Sequence, residues 1–304
     1  MINGLAIGDV HTGSAYGLFP SGHTLSTGGV SQLNSGQRYL LDCFDHMVGE
    51  LPPKLDFVAF TGDMVDGLNH KRDALGRVEV DGMWQADAAA TLMAPIVKRA
   101  TKKYCVAGSG YHVGNGAMFE QHFASQIGAD ETPGGHKVWD WLLLRVANDI
   151  VFDIAHHQSY MTVNRSTALE REMRHSELIT PDMKDGTDLI IRAHVHSYGF
   201  MNLDGQLALS LPAWKLPNPY TKTSKTPNRM LSRLLGAVLI EIYPELKTED
   251  CLNRGEYIKV KPLVYSMPRL GITELGGTKP TWQNRAQNLL YKNSRQKSPK
   301  PTRL

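Results

Sequence analysis

The sequence predicts an α/β domain with two packed β-sheets, and three observations predict it. Short apolar, β-rich runs alternate with helical periodicity in the front half. The back half is mostly strands, the last of them without helices between. No repeat or linker divides the two halves. Taken in order, GLAIGD (Gly4 to Asp9) and KLDFVAFTGD (Lys54 to Asp63) read as strands that each end in Gly-Asp. Between them, SGQRYLLDCFDHMVGEL sets Leu40, Leu41, Phe44, Met47 and Val48 at helical spacing. GMWQADAAATLMAPIVKRATKK reads as a second helix before the strand YCVAG, and AMFEQHFASQIGA as a third after it. The texture then changes. VWDWLLLRVANDIVFDIAHH reads as two strands around the turn AND, and STALEREMRHSELI as a helix. DLIIRAHVH, QLALSLP, GAVLIEIY and YIKVKPLVYS read as further strands, so parallel βαβ units in front precede a more antiparallel half.

Composition bounds the function classes. At 304 residues with 41% hydrophobic residues the chain can bury a sizeable core. No long uninterrupted apolar window occurs, and MINGLAIGDVHTG lacks a charged n-region followed by an apolar stretch. Export and membrane spans are therefore not expected, and a cytoplasmic setting is. Cys43, Cys105 and Cys251 are widely spaced and odd in number, which argues against a disulfide framework or a thiolate zinc site. The net charge of +3 divides unevenly. Residues 276–304 hold seven basic residues and no acidic one, whereas residues 1–275 hold 26 basic and 30 acidic residues, a balance of −4. This proline-containing tail is expected to be flexible, either a solubilising extension or an arm for a polyanion. The acid-free stretch from Lys215 to Arg233 is expected to be a long surface loop that faces a polyanion too.

The chemistry lies at the strand ends. IGDVHTG supplies Asp9 and His11, FTGDMVDG supplies Asp63 and Asp66, DIAHHQ supplies His156 and His157, and IRAHVHSYG supplies His194 and His196. SGYH adds Ser109 and His112. One Gly-Asp after a strand is ordinarily a turn, and one H-x-H can be a pair of exposed loop histidines. All of them together, each directly after an apolar strand, form a ligand set of aspartate and neutral imidazole. Such a set suits divalent first-row metals better than magnesium or calcium. In an open α/β sheet, ligands also collect at the carboxyl ends of the strands.

These blocks resemble the calcineurin-like metallophosphoesterase superfamily: G-D-x-H at Gly8, Asp9 and His11, G-D-x-x-D at Gly62, Asp63 and Asp66, a strand followed by His156, and [GA]-H-x-H at Ala193, His194 and His196. The spacing and the loop HTGSAYGL are similar to phosphoesterases found among phage and prophage genes. The resemblance implies a four-layer αββα sandwich with two mixed β-sheets, a metallophosphoesterase domain over residues 1–275, and a dinuclear metal site at the strand C-terminal edge. It implies that Asp9, His11 and His196 hold one metal, that His156 and His194 hold the other, and that Asp63 bridges both. Asp66 then orients a ligand such as His11. His157 reaches the phosphate or makes a structural hydrogen bond. Two divalent transition-metal ions are implied, manganese first, with iron, zinc, nickel or cobalt as alternatives.

One block departs from the family. Where the superfamily has G-N-H after the third strand, this chain has Gly108, Ser109, Gly110, Tyr111 and then His112. Ser109 stands in the place of the asparagine ligand, and a hydroxyl is a poorer ligand than an amide oxygen. The second metal is then held more weakly, completed by water or captured by Asn115. His112 is expected to return to the site across a glycine turn and to act as general acid.

Gly67 stands where protein phosphatases of the superfamily have an arginine, which disfavours a phosphomonoester clamp. The expected function is therefore a metal-dependent phosphoric ester hydrolase, a phosphodiesterase acting on a nucleotide or nucleic acid. Tyr16, Phe19, Trp84, Tyr111, Tyr198, Trp214 and Tyr220 are candidate stacking surfaces, with packing as their other role. The alternatives are a phosphomonoesterase for small substrates and a binding protein with a degraded site.

Overall fold

Alternation along the first strands sets the layers. In β1 (Ile2–Ile7) and β2 (Leu55–Phe60), Ala6, Phe57 and Ala59 point to one side, and their neighbours Leu5, Ile7, Val58 and Phe60 to the other, as the period of two requires. The computed structural model describes residues 1–68, 76–147, 149–157, 165–179, 186–217, 234–248 and 251–268. The chain from Met1 to Ser266 forms one compact unit. The expected boundary at residue 275, the basic tail and residues 218–233 of the acid-free loop lie outside the described residues.

The first sheet runs β11-β10-β1-β2-β3-β4, with β3 at Ala100–Val106, β4 at Val138–Trp139, β10 at Leu234–Ile242 and β11 at Ile258–Ser266. β1 to β4 are parallel, and the β10–β11 hairpin joins β1 antiparallel. The second sheet runs β5-β6-β7-β9-β8, with β5 at Leu142–Ala147, β6 at Ile150–Ile154, β7 at Leu189–Arg192, β8 at Gly199–Leu203 and β9 at Gln206–Ser210. β6, β7 and β9 are parallel, and β5 and β8 flank them antiparallel. Both sheets are therefore mixed.

The core lies between the sheets: Phe57, Val106, Val238 and Ile240 of the first meet Phe152, Ile154, Ile191 and Leu209 of the second. The rings of Phe57 and Phe152 cross edge-on at 6.1 Å. Helices α1 (Ser35–Glu50), α2 (Gly82–Val97) and α3 (Met118–Gln126) cover the outer face of the first sheet. Phe60 meets Phe123 of α3 at 5.2 Å there. Helix α4 (Arg165–Ile179) covers the second sheet, with Leu169 and Met173 on Ile190 and Ala208. The four layers expected of the chain are present. Asn34 and Gln37 close a reciprocal capping box at the start of α1, which fixes where the long excursion after β1 ends.

Three elements differ from expectation. α2 stops at Val97 rather than running through Lys103, because Ala100 already pairs with Leu55 in the parallel sheet. Val138–Trp139 joins the first sheet, and the chain crosses to the second only at Leu142. β8 was not expected; it pairs with β9 through the two-residue turn Asp204–Gly205, whose positive φ values of 49° and 89° match a primed hairpin turn.

Candidate metal centre

The carboxyl ends of β1, β2, β3, β6 and β7 bring the Asp and His residues of the sequence blocks to one edge of the sandwich. The segments are knitted backbone to backbone: Asp9 N–H donates to Gly62 O at 2.9 Å, and His11 N–H to Asp63 O at 3.0 Å. The second sheet joins through His194 N–H, which donates to Asp9 Oδ2 at 2.9 Å. Glycines permit the close approach. A Cβ on Gly62 would lie 2.6 Å from Gly108 Cα and 2.7 Å from His156 Nδ1, and one on Gly108 would lie 2.2 Å from Asp63 Oδ1.

The backbone at this edge is strained. Seven described non-glycine residues have positive φ, and five of them are Asp9, His11, Asp63, His194 and His196, at 50–70°. This left-handed conformation is unfavourable for L-residues and persists only where surroundings over-determine it. It brings the Asp9 and His11 side chains of D-x-H, and the His194 and His196 side chains of H-x-H, into the ligand-atom groups at this edge.

Three groups of ligand atoms result, each with its members within 4.8 Å of one another: Asp9, His11 and His196; His11, Asp66 and His112; and Asp63, His156 and His194. His196 Nε2 lies 3.2 Å from Asp9 Oδ1 and 3.0 Å from His11 Nε2. His156 Nε2 lies 3.2 Å from Asp63 Oδ2, and its Nδ1 donates to Thr61 O at 2.7 Å, which leaves Nε2 facing the site. Asp9 Oδ1, His156 Nε2 and His194 Nδ1 are buried without a hydrogen-bond partner, and so is His11 Nδ1, which faces Asp66 at 3.3 Å while Nε2 faces the other ligands. Buried polar atoms are rarely left so. A nitrogen and oxygen set with orphaned lone pairs fits divalent cations.

The remaining expected residues are placed as follows. Ser109 N–H donates to Asp63 Oδ1 at 2.8 Å, and its hydroxyl lies 3.2 Å from both oxygens of that carboxylate. The serine thus serves Asp63 as a donor. Asn115 is exposed in the turn before α3. His112 packs edge-on against the His11 ring at 4.5 Å, with Nε2 3.9 Å from Asp63 Oδ2. The turn that returns it is closed by Ser109 O, which accepts from His112 N–H at 2.9 Å, and Gly110 is not left-handed. His112 Nδ1 lies 2.7 Å from Asp66 O, and because a carbonyl only accepts, that nitrogen carries the proton. His157 is exposed, its ring 4.8 Å from that of His194. Of the candidate stacking aromatics, Phe19 and Trp214 are fully buried, Trp214 against Phe44, so they are packing residues; Tyr220 lies outside the described residues.

Burial and mutual charge set the electrostatics. Burial pushes Asp63 up, but His156 and His112 outweigh it and hold the carboxyl well below the usual range. Burial pushes His156 down, but the Asp63 carboxylate overrides it and raises it to about 10, so in the metal-free chain Nε2 holds a proton that a bound cation would displace. Burial, then His11, pushes His112 down to about 4, and burial with His156 does the same to His194.

Two charged residues of the site were not foreseen. Glu120 of α3, buried, accepts from Gly108 N–H at 2.7 Å and Met64 N–H at 3.3 Å, so it ties the loop after β2 to the loop after β3. Burial and the nearby Asp63 push Glu120 up to about 7. Lys215 follows β9 and places Nζ 2.7 Å from Asp66 Oδ1. Its backbone forms a bridge with Gly17.

No protein-family model matches the chain, and no curated protein matches it significantly. Among solved structures, the chain is similar to wild-type Vps29 complexed with Zn2+ from Entamoeba histolytica, at 15% identity and a TM-score of 0.38 over 86% of this chain and 99% of that one. It is similar to an archaeal phosphodiesterase at 9% identity and a TM-score of 0.38, over 86% and 99% of the two chains. It is also similar to a predicted phosphoesterase from Streptococcus pneumoniae at 11% identity and a TM-score of 0.32, over 86% and 97%. Likeness this loose transfers no property to the chain.

Proposed function

We propose that the chain is a dinuclear metal-dependent phosphoesterase, a phosphodiesterase acting on a nucleotide or a nucleic acid. The observation that carries this reading is the concentration of left-handed Asp and His residues at one sheet edge, with their orphaned ligand atoms converging. Asp9, His11 and His196 would hold one cation, His156 and His194 the other, and Asp63, centred between them, both. Manganese is the expected metal. Such a pair supplies an acidified water at neutral pH and positive charge opposite the phosphoryl oxygens.

The chain's own residues do the rest. Asp66 lies 3.3 Å from His11 Nδ1, a loose contact that biases the tautomer so that Nε2 faces the site. Ser109 fixes the Asp63 carboxylate with two donors. His112 presents Nε2 at the leaving-group side, where an anionic substrate favours the proton that burial alone discourages, and that proton passes to the leaving oxygen. His157, half a turn outward, is available to a phosphoryl oxygen.

A second reading, a binding protein with a degraded site, is favoured by Ser109, which gives Asp63 its hydrogens and offers the second cation little. Turnover of bis-p-nitrophenyl phosphate and p-nitrophenyl phosphate by the manganese-loaded protein separates the readings. Faster diester hydrolysis is expected. A strong monoester preference makes the chain a phosphomonoesterase, and substoichiometric manganese without turnover favours the binding protein.

A further inference from the structure

We infer that Lys215 is a positioning residue that acts through Asp66: its ammonium keeps that carboxylate from ligating a cation and leaves it as the acceptor that orients His11. This rests on the proposed metal centre and goes beyond it, because Lys215 belongs to none of the sequence blocks that identify the ligands. On distance alone, Asp66 qualifies as a ligand, for it groups with His11 and His112. A cation there would take both imidazoles, and His112 would lose its place at the leaving group.

The ammonium decides the matter. Lys215 Nζ and His11 Nδ1 approach the same oxygen, Asp66 Oδ1, at 2.7 and 3.3 Å. A cation at that oxygen would meet the lysine charge within a few ångströms, in a partly desolvated site where repulsion is strong. Lys215 is not free to swing away. Its side chain is 11% exposed, and the residues on either side are tied down: Trp214 N–H donates to Asp9 O at 3.0 Å and Leu216 N–H to Tyr16 O at 2.7 Å. Of the three buried aspartates at this edge, Asp9, Asp63 and Asp66, the lysine pairs with one and leaves two for the metals.

Manganese titration of the full chain, read by the resonance of the free ion, tests this. Lys215→Met should bind its weakest manganese about tenfold more tightly, since Asp66 is released to ligate, while kcat falls. A merely structural lysine would lower both. Lys215→Arg should match the wild type within about twofold, and in an Asp66→Asn background Lys215→Met should have no effect on affinity. Unchanged or weaker manganese binding by Lys215→Met, or the same tightening in the Asp66→Asn background, overturns the inference. Should Lys215→Met fail to fold, Asp66→Asn alone still decides: a carboxylate that only orients His11 should cost about 10–100-fold in manganese affinity, whereas loss of one manganese altogether would make Asp66 a ligand and overturn the inference. A wild-type chain that binds no manganese refutes the metal centre itself, and the role of Lys215 falls with it.

Discussion

The two ends of the sandwich bury aspartates in opposite ways. At the amino edge, Asp188 ahead of β7 is fully served: Oδ2 accepts from Val151 N–H at 2.7 Å, and Oδ1 accepts from Tyr257 Oη and from Lys247 Nζ at 3.1 Å. Val151 belongs to the second sheet, while Lys247 and Tyr257 lie in the connection between β10 and β11 of the first, so Asp188 fastens one sheet to the other. At the carboxyl edge, Asp9 and Asp63 stand on left-handed backbone among histidines that offer lone pairs. At one edge the aspartate is satisfied within the chain; at the other, Asp9 Oδ1 and the facing atoms of His156 and His194 have no hydrogen-bond partner. Strain and unmet polar groups gathered at one edge are the usual price of a functional site.

Four substitutions break or sharpen this contrast. The largest effect is expected for Asp188→Ala, which strands Lys247 and Val151 N–H and should remove about 3–5 kcal/mol of stability in urea melts, with manganese affinity unchanged. Asp63→Ala should act chiefly on the metal: manganese affinity should fall by more than about 100-fold, read by titration of the free ion. Asp153→Asn tests a third buried aspartate, between β6 and α4. Burial pushes Asp153 up, but Arg192, 2.7 Å away, outweighs it and holds it below the usual carboxylate range. A depressed carboxyl contributes stability above its unfolded value, near 4, and loses it as pH falls through the lower folded value. The variant should therefore lose about 1–3 kcal/mol at pH 7, and the deficit should shrink in acid, as melts at both pH values will read. Gly205→Ala in the β8–β9 turn should cost about 1–3 kcal/mol in backbone strain and more in displaced backbone, since φ is 89° and the new Cβ would lie 2.0 Å from the backbone oxygen of Leu252.

The sequence made the carboxyl edge far more legible than the amino edge. D-x-H and H-x-H are local patterns, and the strand before each one fixes where it emerges, so Asp9, His11, Asp63, His194 and His196 could be read residue by residue. Glu120 and Lys215 could not. Glu120 arrives from α3, 56 residues from Met64, and Lys215 from the segment after β9, 149 residues from Asp66, and only tertiary packing makes these contacts. Ser109 occupies the asparagine's place in the sequence as a poor ligand; that the fold turns its N–H and hydroxyl toward Asp63 is something residue type alone does not reveal. β8 carried a usable signal, the Asp-Gly pair at 204–205, but GFMNL lacks the β-branched residues that mark a strand. β4 carried none, because two residues have no period.

Anomalous scattering from crystals grown with manganese tests the metal centre most directly. Two peaks a few ångströms apart are expected, one beside Asp9, His11 and His196, the other beside His156 and His194, with Asp63 between them and Asp66 paired to Lys215. A cavity without a peak at Asp63, at saturating manganese, would contradict it.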